Sequence, residues 1–138
     1  MSAKDLFHDT VRVALEKDGW TVTHDPLSLS GDGVEFYIDL GAERLLGAEK
    51  DGQKIAVEIK SFIGKSDISQ FHTALGQILN YRSALRKGQP YRILYLAIRD
   101  EVYQRLFSIP FIQDVMVEHQ LKLVIFDPET EEIVLWKE

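Results

Sequence analysis

The sequence predicts an α/β fold: a mixed β-sheet sandwiched by helices, in a single domain spanning 1–138. Three observations carry this expectation. Asp51-Gly52 separates two runs of strand-like residues and is a preferred pair for a two-residue type I′ hairpin turn. The stretch "YRILYLAI" from Tyr91 to Ile98 is almost continuously apolar, as in a central strand covered on both faces. Between them, Ile68, Phe71, Leu75, Ile78, Leu79 and Leu85 recur at helical spacing.

Each element follows in chain order. Ser2 can cap a first helix whose Phe7, Val11, Ala14 and Leu15 share a stripe, with Gly19 as its stop. Trp20 to Thr23 reads as a short strand, 26–33 as a Ser/Gly/Asp loop, and Val34 to Leu40 as extended chain. The hairpin strands run from Arg44 to Lys50 and from Gln53 to Lys60. Ser66 or Asp67 caps the long helix and Gly88 ends it. After the central strand, a helical stretch from Asp100 is interrupted near Pro110 and resumes to about His119. Leu121 to Phe126 and Ile133 to Trp136 are the last strands, around Asp127-Pro128.

The chain has 138 residues, 45% of them apolar and 28% charged, which is an ordinary globular profile. It has no cysteine, so thiolate chemistry and Cys-ligated zinc are excluded. No apolar run approaches a membrane span, and the first residues lack a signal-peptide pattern, so the expected location is cytoplasmic with no membrane contact. The net charge of −6 argues against an autonomous nucleic-acid binder. Residues 60–105, however, hold eight Lys and Arg against three acids, a local +5 that leaves −11 elsewhere.

The basic segment starts at an unusual strand. "IAVEIK" suits the interior of a sheet, yet Glu58 and Lys60, two apart, point to one face. Charges are seldom buried unless paired or bound to something. With 51 and 52 as the turn, Glu58 faces Leu45 and Lys60 faces Glu43, so Asp39 and Glu43 share their parity. Carboxylates of this kind, with the Val57 and Ile59 carbonyls, suit a hard divalent cation such as Mg²⁺ or Mn²⁺. A lysine beside them can orient water or offset charge on a phosphate. An edge salt bridge is the simpler alternative.

An acid near a hairpin start followed by Glu-X-Lys on its second strand resembles the PD-(D/E)XK nucleases, the restriction-endonuclease-like fold. That resemblance implies a catalytic set of Asp39, Glu58 and Lys60, with Asp39, Glu43 and Glu58 as metal ligands. Gln77 and Tyr81 reproduce the Gln-X-X-X-Tyr of RecB-like members, four apart on one helix face. There Gln77 would position Lys60 or water and Tyr81 would touch a phosphate. The usual proline before the first acid is Ile38 here. Leu45 also occupies the place across from Glu58, so Gly41 must fold Asp39 back, or Glu43 is the ligand. Asp39 ranks first.

Longer blocks, "YIDLGAERLLGAEKDGQKIAVEIKSFIG", "ALGQILNYRSAL" and "LYLAIRDEVY", are similar to the XisH family of fdxN-element excision controlling factors. That resemblance implies a part in excising a DNA element, alongside an XisI-like partner protein and a separate site-specific recombinase. The nuclease likeness adds DNA as substrate and a homodimer, for which apolar residues from Phe107 to Phe111 are candidates. A non-catalytic accessory factor on a retained scaffold is the alternative, and the acidic net charge favours it.

Other features carry less. His8, His24, His72 and His119 lack metal-ligand spacing, and Asp5, Asp9 and Glu16 read as a solvated helix face, with Asp9 a possible extra acid. Trp20 and Trp136 read as core or interface residues. Arg82 lies on the apolar stripe, where it must pair with an acid or reach past the core.

Overall fold

Asp51 and Gly52 both adopt left-handed backbone, with φ of 51° and 82°, so the tight turn forms as its residues dictate. It joins β4 (Leu45–Lys50) to β5 (Gln53–Ile59), and Leu45 pairs with Glu58, the register expected from the sequence. The structure, a computed structural model, describes residues 6–31, 34–36, 45–64 and 66–138. Asp39, Glu43 and Lys65 lie outside the described residues, as does Asp5.

The remaining elements are α1 (His8–Lys17), β1 (Thr21–His24), β2 (Leu29–Gly31), β3 (Val34–Phe36), α2 (Asp67–Gly88), β6 (Arg92–Arg99), α3 (Asp100–Arg105), α4 (Pro110–Glu118), β7 (Leu123–Asp127) and β8 (Glu132–Lys137). Six strands form one sheet in the order β1-β4-β5-β6-β7-β8. The central β5-β6-β7 pairs are parallel and the flanking pairs antiparallel, giving the mixed sheet. β2 and β3 form a separate antiparallel ribbon, against which α2 packs, within what reads from composition as loop and extended chain.

Two apolar layers cover the sheet. Val11, Ala14 and Leu15 of α1 pack over Ile55, Val57, Ile59, Tyr95 and Ala97. On the opposite face, α2, α3 and α4 contribute Phe71, Ile78, Tyr81, Val102, Leu106 and Ile112 against Leu45, Ala56, Leu94, Leu96 and Ile98. Alternate residues of β5 and β6 thus enter different layers, as a doubly covered strand requires. Trp20 and Trp136 sit on the α1 side, with ring centroids 5.6 Å apart.

Ser66 is the cap of α2: its Oγ accepts from Ser69 N at 3.1 Å. Ile68, in the first turn of α2, is exposed rather than on the buried stripe. Arg82 reaches past the core: its Nη1 donates to the carbonyls of His119 and Gln120 at 2.5 and 3.3 Å, tying α2 to the end of α4.

Candidate functional site

Glu58 is fully buried, and Lys60 is 7% exposed. The strand partners of Glu58 on either side, Leu45 and Leu96, both belong to the layer beneath α2, so its carboxylate enters that layer. Lys60 Nζ lies 3.8 Å from Glu58 Oε2, an ion-pair distance longer than a hydrogen bond. Placing a carboxylate and an ammonium in such surroundings costs several kcal/mol per ion before their attraction is counted.

The backbone here is firmly held. Lys60 N donates to Ala97 O at 3.2 Å, carrying the parallel β5-β6 ladder one residue beyond β5. Arg99 Nη2 donates to Ser61 O at 2.8 Å. Phe62 follows with φ of 53°, a conformation that costs a non-glycine residue about 1 to 3 kcal/mol. Its ring is 3% exposed and meets Phe107 edge-on at 5.9 Å, while Phe71 meets Phe107 at the same distance. That aromatic contact offsets the strain and fixes the turn leaving Lys60. Phe107 is thereby committed to the core, which corrects its assignment to an exposed interface; Phe111 and Ile109 remain exposed at 68% and 39%. Farther along, Arg105 bridges Asp67 and Glu101, pinning the start of α2 to α3.

From α2, Tyr81 enters the same layer as Leu45 and Leu96. Gln77 is half-buried; its Oε1 is inaccessible and accepts no hydrogen bond among the described residues. Tyr81 thus packs in the layer beneath α2, and Gln77 lies one turn before it on the same helix. Among the described residues, no group of three His, Asp or Glu converges.

At the outer side of the sheet, His8 Nε2 sits 2.9 and 3.0 Å from the two carboxylate oxygens of Asp25, and Arg12 Nη1 donates to Asp25 Oδ2 at 2.7 Å. Burial alone would push the Asp25 carboxyl up, but the hydrogen bonds from His8 and Arg12 outweigh it and hold the group below its ordinary range. Sequence spacing gave no hint of this cluster, since its partners are 13 and 17 residues apart. Asp9 lies exposed on α1.

Arg92 was also missed. It is 6% exposed, and its Nη1 donates to Ile55 O at 2.7 Å while Nε donates to Gln89 Oε1 at 2.8 Å. A Cβ at Gly47 would lie 3.0 Å from Arg92 Nη1 and 3.1 Å from His24, so glycine leaves the guanidinium its room.

The model of the XisH protein family matches residues 1–134. The chain belongs to the XisH family. It is similar to the crystal structure of an XisH family protein from Nostoc punctiforme PCC 73102, with 48% identity and a TM-score of 0.89, covering 97% of this chain and 100% of that one. A fdxN element excision controlling factor protein from Anabaena variabilis has 47% identity and a TM-score of 0.88, covering 96% of this chain and 98% of that one. No curated protein matches the chain. The family assignment agrees with the blocks singled out in the sequence, two of which carry Glu58, Lys60, Gln77 and Tyr81.

Proposed function

We propose that this XisH family member acts on DNA during excision of a DNA element, as a metal-dependent endonuclease-like protein with a PD-(D/E)XK core. The single observation that supports this most is the buried pair of Glu58 and Lys60, at the end of β5 and 3.8 Å apart. A buried ion pair seldom adds net stability over apolar packing, and paired ionisable groups of this kind concentrate at functional sites.

A hard divalent cation, Mg²⁺ or Mn²⁺, suits the donors: the Glu58 carboxylate, with Asp39 or Glu43 as a second acid. The inaccessible Gln77 Oε1, an acceptor lacking a protein donor among the described residues, suits water or an ammonium nearby. When bound, such an ion would supply Lewis acidity toward a phosphodiester. The chain's own residues would do the rest. Glu58 holds Lys60 in place, Lys60 donates a hydrogen bond to a phosphate oxygen and offsets its charge, and Gln77 orients the ammonium. Tyr81 completes the wall and meets the phosphate. Water adds to phosphorus in line and gives up a proton to a neighbouring solvent water, while the bond to the leaving oxygen breaks and that oxygen takes up a proton from solvent.

The experiment combines Mn²⁺ calorimetry with incubation of branched and linear DNA in Mn²⁺. Heat of binding that disappears in Glu58→Gln, and cleavage that disappears in Lys60→Ala, are expected. Equal heats in both proteins, or cleavage no greater than that of Lys60→Ala, would sink the reading.

The net charge of −6 favours a second reading: a non-catalytic factor that binds an XisI-like partner or the recombinase on a retained scaffold. In that case Glu58→Ala would leave excision intact in cells. Exposed Phe111 and Ile109 at the start of α4 are the proposed homodimer contact in either reading.

A further inference from the structure

At the end of the sheet away from Glu58, an open groove of about 970 Å³ runs between the end of α2, the start of β6, the end of α4 and the end of β8. Arg92 and Arg99 are seven positions apart along β6, so roughly 20 Å lies between this groove and the Lys60 end. Five cations line it: Arg82, Arg86, Arg92, Lys122 and Lys137, against the single acid Glu138. In a chain of net −6, a groove of +4 leaves −10 on everything else.

The five cations divide by what they already do. Arg82 and Arg92 spend donors on backbone carbonyls and build the walls. Arg86, Lys122 and Lys137 take part in no ion pair among the described residues, and Arg86 and Lys137 are exposed. The one acid is itself engaged, because Glu138 accepts from Tyr95 Oη at 2.9 Å. Between the cations the lining is apolar: Leu85, Ile93, Leu94, Met116, Val117 and Leu121. Ile93 is 38% exposed and Val117 78%, large values for aliphatic side chains in one concavity.

We propose that this groove docks an acidic, amphipathic segment of a partner protein, apolar residues on its floor and carboxylates against Arg86, Lys122 and Lys137. A phosphate backbone would find no use for the aliphatic floor. A short acidic segment uses both halves of the groove, since its carboxylates meet the basic rim while its other face removes apolar surface from water. Helix-in-groove recognition uses this combination, and a flexible residue such as Met116 lets the floor adapt. The proposal is independent of the metal-site reading.

The test is fluorescence anisotropy on the full chain with a labelled helical peptide of about 18 residues, Leu on one face and Glu on the other. The same peptide with Lys for Glu and a single-stranded DNA of equal length serve as comparisons. The Glu peptide should bind and the Lys peptide should not. Combining Arg86→Glu with Lys122→Glu should weaken binding at least about tenfold, and Val117→Ser should weaken it several-fold. All three positions sit at the surface of the groove, and thermal melts check that the variants fold. Lys60→Met should bind like the parent, which keeps this result separate from the metal site. Absence of peptide binding, or unchanged affinity after charge reversal, overturns the proposal. So does tighter binding of the DNA that is lost in the same double variant, which would make the groove a nucleic-acid surface.

Discussion

Arg92 and Glu58 are buried charges on neighbouring strands, and the molecule treats them in opposite ways. The guanidinium is tied by two short hydrogen bonds, 2.7 Å to a backbone carbonyl and 2.8 Å to Gln89, in room left open by Gly47. It behaves as a strut between β5 and β6. The carboxylate, with no exposed surface at all, faces its ammonium neighbour at 3.8 Å. Arg92 is buried as part of the sheet's framework, whereas Glu58 and Lys60 lie at the end of a strand whose exit is fixed through Phe62, Arg99 and Ala97.

That contrast can be broken most decisively at Glu58 and Lys60. Combining Glu58→Gln with Lys60→Met should reduce Mn²⁺-dependent DNA cleavage by at least about 100-fold, while urea titration finds stability unchanged within about 1 kcal/mol or raised. A large loss of stability would make this pair a strut as well. Next in size, Arg92→Met leaves the Ile55 carbonyl and the Gln89 side chain without their donor, and unfolding in urea should show a loss of about 3 kcal/mol. Gly47→Ala crowds the same guanidinium from β4, on the far side of β5, and should cost about 1 to 2 kcal/mol by the same measurement. The smallest effect concerns acid. Because the folded Asp25 carboxyl titrates below its unfolded value of 3.8, its contribution is complete above that value and fades as pH falls through the folded one. Asp25→Asn should therefore flatten the loss of melting temperature below about pH 4.

Much of this was legible in the chain. Asp51-Gly52 fixed both the hairpin and the pairing of Leu45 with Glu58, because a two-residue turn leaves one register open. The parity argument then put Glu58 and Lys60 together, as found, and Tyr81 packs in the layer beneath α2. The upstream acids Asp39 and Glu43 lie outside the described residues. The ribbon of β2 and β3 escaped notice because three-residue strands show no periodicity. Arg92 was legible as a charge but not as a strut, since its acceptor is a carbonyl 37 residues away. The basic groove is assembled from four separate segments, and no linear motif can announce such a surface.

Thr23 in β1 and Val134 in β8 are each one residue too many for the strand alongside: Val22 and His24 face consecutive residues of β4, and Leu135 and Ile133 face consecutive residues of β7. These are the two outermost strands of the sheet among the described residues. A neighbouring chain seeking to lengthen the sheet would meet a kinked, out-of-step row of amides on either flank. Growth by strand addition is thereby discouraged at both borders of the described sheet.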